Sequence, residues 1–291
     1  MLYLWVVSLA WAFSFGLIKV SFPGVSPLFI SFARLFISLL VFLPFLRPRQ
    51  LTRKAFMQLL LVGALQYGMM YITYNYAFQF LKAYEVALFT TFTPIYVTLI
   101  HDLLRRRLHR VYWLTALMAV IGTGIVELNG ALSGNLLEGF LIVQASNLCF
   151  AFGQVFYRDV MRNFPHLKDT HIFAVPYLGA TLITFAASLL FGGFQGLSLT
   201  STQARTLVYL GAFASGICFF LWNLGARQVD LGALAIFNNL KVPLAVAVSL
   251  IFFGEQANLL NLMIGGAIVL AALGLNEYKV RQKQTSLPTP E

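Results

Sequence analysis

The sequence predicts an all-α integral membrane protein of ten transmembrane helices with both termini in the cytoplasm. Three observations predict it. The chain has 291 residues, 59% hydrophobic and 10% charged, where a soluble domain carries roughly 25% charged residues. Its apolar residues fall into ten runs, each near the ~20 residues that cross a hydrocarbon core as a helix. Its basic residues crowd into alternate loops.

The runs fall at about 2–20, 26–46, 55–80, 83–101, 111–127, 138–157, 171–190, 204–223, 232–252 and 259–276. The first is not read as a signal peptide, because Lys19, its only basic residue, follows the apolar stretch. The polar tail 279–291 contains proline and is expected to be disordered. The 28 Phe, 12 Tyr and 4 Trp suit a lipid-facing surface with interfacial anchors. Cys149 and Cys218 lie inside spans and read as small packing residues. No metal or cofactor is expected.

The loop charges set the orientation. Arg47, Arg49, Arg53 and Lys54 follow the second run, and Arg105, Arg106, Arg107 and Arg110 the fourth. Arg158, Arg162 and Lys168 follow the sixth, Arg227 the eighth, and Lys279, Arg281 and Lys283 the tenth. The opposite side holds Lys19, Lys82 and Arg205. The positive-inside rule then puts both ends in the cytoplasm. The net charge of +10 is therefore a topology signal, and a nucleic-acid partner is not expected.

The chain also repeats itself. Gly63, Ala64, Gly68 and Asn75 pair with Gly211, Ala212, Gly216 and Asn223 at a constant offset of 148 positions. Ala87 pairs with Ala235, and Pro94 falls within one position of Pro243. This predicts a first five-helix repeat over 1–130 and a second over 131–278. An odd number of helices per repeat inverts the second half, which is the architecture of secondary transporters with a midplane site. Proline removes a backbone donor and clashes with the preceding turn. Pro94 and Pro243 are thus candidate hinges, or simple packing kinks.

The opening WAFSFGLIKVSFPGVSPLFISFAR carries Trp11, Phe15, Lys19, Pro27 and Arg34. In these positions, and in Gly254-Glu255 after the ninth run, the chain resembles the EamA-type drug/metabolite transporters. The likeness spans essentially the whole chain. It departs at Ala12, where the family has Gly, and in HDLLRRR after the fourth run, which lacks the Gly-Glu. The resemblance implies an exporter or exchanger of small metabolites, often amino acids.

Two cations stand inside apolar runs. Arg34 lies about 12 Å and Lys241 about 14 Å into their helices at 1.5 Å per residue. A cation at bilayer depth costs about 2.5–3.5 kcal/mol and usually faces a cavity or substrate path. Either could anchor a carboxylate or phosphate. Arg34 could instead snorkel outward. Polar residues recur at helical spacing: Ser31, Arg34 and Ser38; Gln144, Asn147 and Gln154; Asn238, Lys241 and Ser249. Tyr67, Tyr71, Tyr74 and Phe78 form an aromatic stripe with Asn75 beside it. Such faces should turn inward, to line a cavity or to bond neighbouring helices. The candidate substrate-binding residues are Lys241, Arg34, Asn238, Asn75, Asn223, Tyr71, Tyr74, Gln144, Asn147 and Trp11.

All ten acidic residues lie in loops or near span ends. Proton- or sodium-coupled carriers commonly keep a carboxylate at mid-membrane, so facilitated or exchange-type transport is expected. No GxxxxGK[ST], HExxH or GxSxG occurs, which argues against an ATP motor and an enzyme. The expected function is alternating-access transport of amino acids or related carboxylates across a bacterial inner membrane, by a monomer or homodimer. A multidrug or cationic-amine exporter, a channel and a membrane-embedded enzyme stay open as alternatives.

Overall fold

A computed structural model describes residues 2–104, 134–228 and 231–255, with isolated helical positions between 259 and 278. The described residues are helical and contain no strand. Among the described residues, seven helices are long and apolar enough to cross a membrane. They are α1 (Leu2–Ser21), α2 (Pro27–Phe45), α3 (Arg53–Ala77), α4 (Ala83–Leu104), α5 (Gly134–Asn163), α6 (Asp169–Leu190) and α7 (Ser201–Gln228). An eighth helix, α8, spans Leu231–Phe252. Eight of the expected runs thus appear as helices. The run at 111–127 lies outside the described residues, and the run at 259–276 is seen only at isolated positions.

Apolar side chains cover the outside of the bundle as well as filling its core, and polar ones are buried among them. On α1, Leu2, Trp5, Leu9 and Phe13 are exposed while Ser8 and Ser14 are buried. The same holds for the expected polar stripes: Ser31, Arg34 and Ser38 on α2, Asn147 and Gln154 on α5, and Lys241 and Ser249 on α8 are all buried. Hydrocarbon offers polar groups no partner, and Ser31, Arg34, Ser38 and Asn147 find theirs within the bundle, whereas Gln154 and Ser249 are buried without a hydrogen-bond partner among the described residues.

Local sequence explains the helix ends. Thr52 caps α3 by accepting from the Ala55 amide at 3.2 Å. Thr200 and Gln203 cap α7 reciprocally, at 3.2 and 2.9 Å. At the basic end of the bundle, Asp169 accepts from Tyr157 at 2.6 Å and pairs with Arg227.

Both α3 and α7 contain a π-helical segment, Ala64–Met69 and Leu210–Ile217. At the offset of 148 positions the first falls within the second. A π turn widens the helix by one residue and frees backbone carbonyls. The paired glycines at these segments press on different helices. A Cβ on Gly63 would sit 1.7 Å from the Pro176 carbonyl oxygen of α6, and one on Gly211 would sit 3.0 Å from that of Arg34 on α2. So α3 crosses α6 closely, and its sequence mate α7 crosses α2.

The two candidate hinges differ. A 3-10 turn, Thr90–Phe92, interrupts α4 just before Pro94, whose ring would clash with the Thr90 carbonyl and which has no amide to donate to it. Pro243 sits inside an uninterrupted α8.

Candidate functional site

Between α1, α3, α4, α5, α7 and α8 lies a cavity of about 530 Å³, its open mouth included. Five of the expected site residues line it: Trp11, Tyr71, Tyr74, Asn147 and Lys241.

Lys241 is 6% exposed, and its side chain ends over rings. Nζ lies 5.2 Å from the Trp11 ring centroid, 5.6 Å from Phe150 and 6.0 Å from Trp222. Among the described residues no carboxylate pairs with it. A desolvated cation–π contact contributes about 2 kcal/mol, so the cage offsets much of the burial cost without neutralising the charge. The rings are themselves fixed. Trp11 Nε1 donates to the Ala214 carbonyl of the α7 π segment at 2.9 Å, and Trp11 packs on Phe219 and Trp222 at 4.7 and 5.1 Å.

The cavity's hydroxyls are mostly committed as donors. Ser14 donates to the Ala10 carbonyl at 2.9 Å, Thr90 to Ala87 at 2.7 Å, Thr93 to Thr90 at 2.8 Å and Ser146 to Met70 at 3.1 Å. Each hydroxyl has one hydrogen, so these oxygens offer a ligand only lone pairs. Asn147 is also occupied, donating to the Phe89 carbonyl at 2.8 Å, with its Oδ1 at 3.2 Å the alternative acceptor for the Thr93 hydrogen. The Tyr74 hydroxyl has no protein partner among the described residues.

Arg34 is 2% exposed and stands behind this wall. Its Nε donates to Ser215 Oγ and its Nη2 to the Tyr71 hydroxyl, both at 3.1 Å, with Cζ 4.5 Å from the Tyr71 ring centroid. Tyr71 and Ser215 bond each other at 2.8 Å. Arg34 thereby ties α2 to the π segment of α7 and touches the cavity only through Tyr71. The paired Asn75 and Asn223 stand away from this cavity: Asn75 donates to Ser31 at 2.8 Å, and Asn223 to the Tyr67 hydroxyl at 2.7 Å. Gln144 reaches the Phe89 carbonyl at 3.5 Å and also stands off the wall. The side chain of Asn238 lies outside the described residues.

The sequence reading missed Ser14, Phe15, Met70, Thr90, Thr93, Ser146, Phe150 and Phe219. The threonines carried a signal in the run TTFTP, polar and next to a proline. The phenylalanines carried none, since lipid-facing Phe looks the same.

The EamA-like transporter family model matches residues 1–128 and again 137–276. The chain belongs to the EamA-like transporter family. The transporter is 39% identical over 284 residues to the probable biotin transporter of Pseudomonas aeruginosa, covering 97% of this chain and 99% of that one. It is 40% identical over 285 residues to the biotin transporter of Salmonella typhimurium, and 39% identical over 285 to that of Escherichia coli K12, each covering 97% and 95%. A solved structure described only as "Crystal structure of protein" shares the fold, with TM-score 0.67, 19% identity and coverage of 94% and 95%. This is a multi-pass transporter of the bacterial cell membrane, not an enzyme.

Proposed function

We propose that this transporter carries biotin. The observation that carries the reading is the unneutralised Lys241 ammonium on the cavity wall, held by the rings of Trp11 and Phe150, which also line the cavity, and of Trp222 behind them. Biotin has one carboxylate, no cation, an apolar fused ring and a ureido group with two N–H donors and one carbonyl. Its carboxylate suits Lys241, its ring suits the Trp and Phe surfaces, and its N–H donors suit hydroxyl oxygens that have already spent their hydrogens. The unpartnered Tyr74 hydroxyl can donate to the ureido carbonyl. The names of the relatives support the same substrate.

Amino acids, favoured by the sequence alone, fit less well. Their ammonium group would share the cavity with the Lys241 ammonium, and the described wall holds no carboxylate to offset that repulsion. Cationic amines would meet Lys241 directly.

The mechanism we favour is alternating access between two inverted five-helix halves, with both termini cytoplasmic. The doubled family match, the paired π segments and the loop charges support it. Because no acidic residue lies at mid-membrane in the sequence, transport follows the substrate gradient or exchanges substrates. Purified protein in liposomes should show saturable biotin uptake and counterflow. Absence of counterflow, or uptake of amino acids but not biotin, contradicts the substrate. Strong dependence on an imposed pH or sodium gradient contradicts the coupling.

A further inference from the structure

A second cavity lies where the α1–α2 turn, the α3–α4 turn and the α6–α7 loop meet. It is the larger of the two, at about 930 Å³ including its mouth, and on the charge-based orientation it faces the periplasm. Lys19, Asn75, Gln79 and Gln195 supply its polar wall.

Two of these groups have unused bonding capacity. Lys19 is exposed, and its Nζ donates to the Phe78 and Leu81 carbonyls at 2.6 and 2.9 Å. An ammonium has three donors, so one remains. Asn75 is 3% exposed and its Oδ1 has no partner among the described residues. The orientation of that amide is fixed by its neighbour. Ser31 donates its single hydrogen to the Pro27 or Tyr71 carbonyl, at 2.7 or 2.9 Å, so its oxygen accepts from Asn75 Nδ2. The free end is therefore the acceptor. The exposed Lys19 supplies the vestibule with a free donor, while the unpartnered Asn75 Oδ1 is closed off from solvent in its wall, so the site suits a carboxylate.

The vestibule and the central cavity are separated by rings in contact. Phe78 lines the vestibule, Tyr74 and Phe15 line the cavity, and the centroids are 5.1 Å apart for Phe78–Tyr74 and 5.8 Å for Tyr74–Phe15. Phe78 is the residue whose carbonyl Lys19 holds.

We propose that the vestibule is a second, outward binding site, which captures the carboxylate of the transported acid at Lys19 ahead of the Phe78–Tyr74–Phe15 barrier. A carboxylate takes the free Nζ hydrogen with one oxygen, and its second oxygen competes with the Phe78 and Leu81 carbonyls for the other two. Occupancy thus loosens the turn that carries Phe78, and arrival of the substrate weakens the barrier it must cross. The ligand identity rests on the biotin reading above.

Equilibrium binding of radiolabelled biotin to full-length purified protein tests it, in wild type, Lys241→Met, and Lys241→Met combined with Lys19→Met or Gln79→Glu. Gln79 is exposed, so the isosteric Gln79→Glu places a negative charge in the vestibule while keeping Lys19 itself. With the central anchor removed, a weaker single-site phase is expected to remain. Either vestibule change weakens that phase at least about tenfold, the equivalent of ~1.4 kcal/mol. No residual phase in Lys241→Met, or a residual phase unmoved by Gln79→Glu, overturns the vestibule site alone. No biotin binding to wild type overturns the substrate reading and the vestibule with it.

Discussion

Lys241 Nζ stands 5.2 Å from the ring centroid of Trp11, a residue 230 positions earlier in the chain. The contact joins α8 to α1, and Trp11 is bonded in turn to the π segment of α7. The cation is held by faces of rings rather than by an anion, which keeps its charge available to a ligand.

Tyr74 supplies the one phenol on the cavity wall with no protein partner among the described residues. Tyr74→Phe removes a single donor and preserves the ring contacts with Phe15 and Phe78. A lost hydrogen bond of about 0.5–1.5 kcal/mol corresponds to a roughly two- to tenfold weaker Kd. Titration of purified protein with biotin measures it, and an unchanged Kd removes Tyr74 from the site.

Arg34 is expected to act on the scaffold. It bonds Tyr71 and Ser215 and does not line the cavity. Arg34→Lys shortens the reach and replaces a planar fork with a point donor. The melting temperature should fall while the Kd for biotin changes less than about threefold, under ~1 kcal/mol. A large affinity loss with unchanged melting assigns Arg34 to the substrate instead.

Glu255 accepts from the Ala83 and Tyr84 amides at 2.8 and 3.0 Å, capping α4 from the end of α8. Glu255→Ala leaves both donors unpaired and should cost about 1–2 kcal/mol. Glu255→Gln keeps one acceptor and should cost less. Thermal unfolding in detergent ranks the three proteins, and equal stability of wild type and Glu255→Ala refutes the cap.

Gly63 and Gly211 are mates in the sequence repeat but should differ in tolerance. A Cβ at 63 meets backbone at 1.7 Å, whereas at 211 the nearest atom is the Ile37 Cβ at 2.8 Å. Gly63→Ala should prevent accumulation of folded protein, and Gly211→Ala should cost on the order of 1–3 kcal/mol. Expression and melting of the two variants check this, and a well-folded Gly63→Ala contradicts the close α3–α6 crossing.

The sequence made some of this legible and hid the rest for physical reasons. Lys241 and Arg34 stood out because a cation in an apolar run has few uses. The inward polar faces followed from helical periodicity. What separated the two cations was not local: Lys241 ends among rings from α1, α5 and α7, while Arg34 is absorbed by Tyr71 and Ser215. Phe15 and Phe150 face the cavity while Phe13 faces outward, and nothing in composition distinguishes them. The π segments left only a trace, the glycines paired at the 148-residue offset, because a slipped hydrogen-bond ladder needs no special residue. Glu255 looked like a family landmark, and its capping role appears only when α8 meets the start of α4.

The central claim is that Lys241 binds the carboxylate of biotin, and a charge cycle tests it most directly. The Kd values of biotin and its neutral amide are measured on wild type and on Lys241→Met, each in a Lys19→Met background so that the vestibule contributes no charge preference. If the two charges meet in the cavity, wild type prefers biotin over the amide by about tenfold or more, and Lys241→Met erases that preference, a coupling of at least ~1.4 kcal/mol. The same preference in both proteins contradicts the claim.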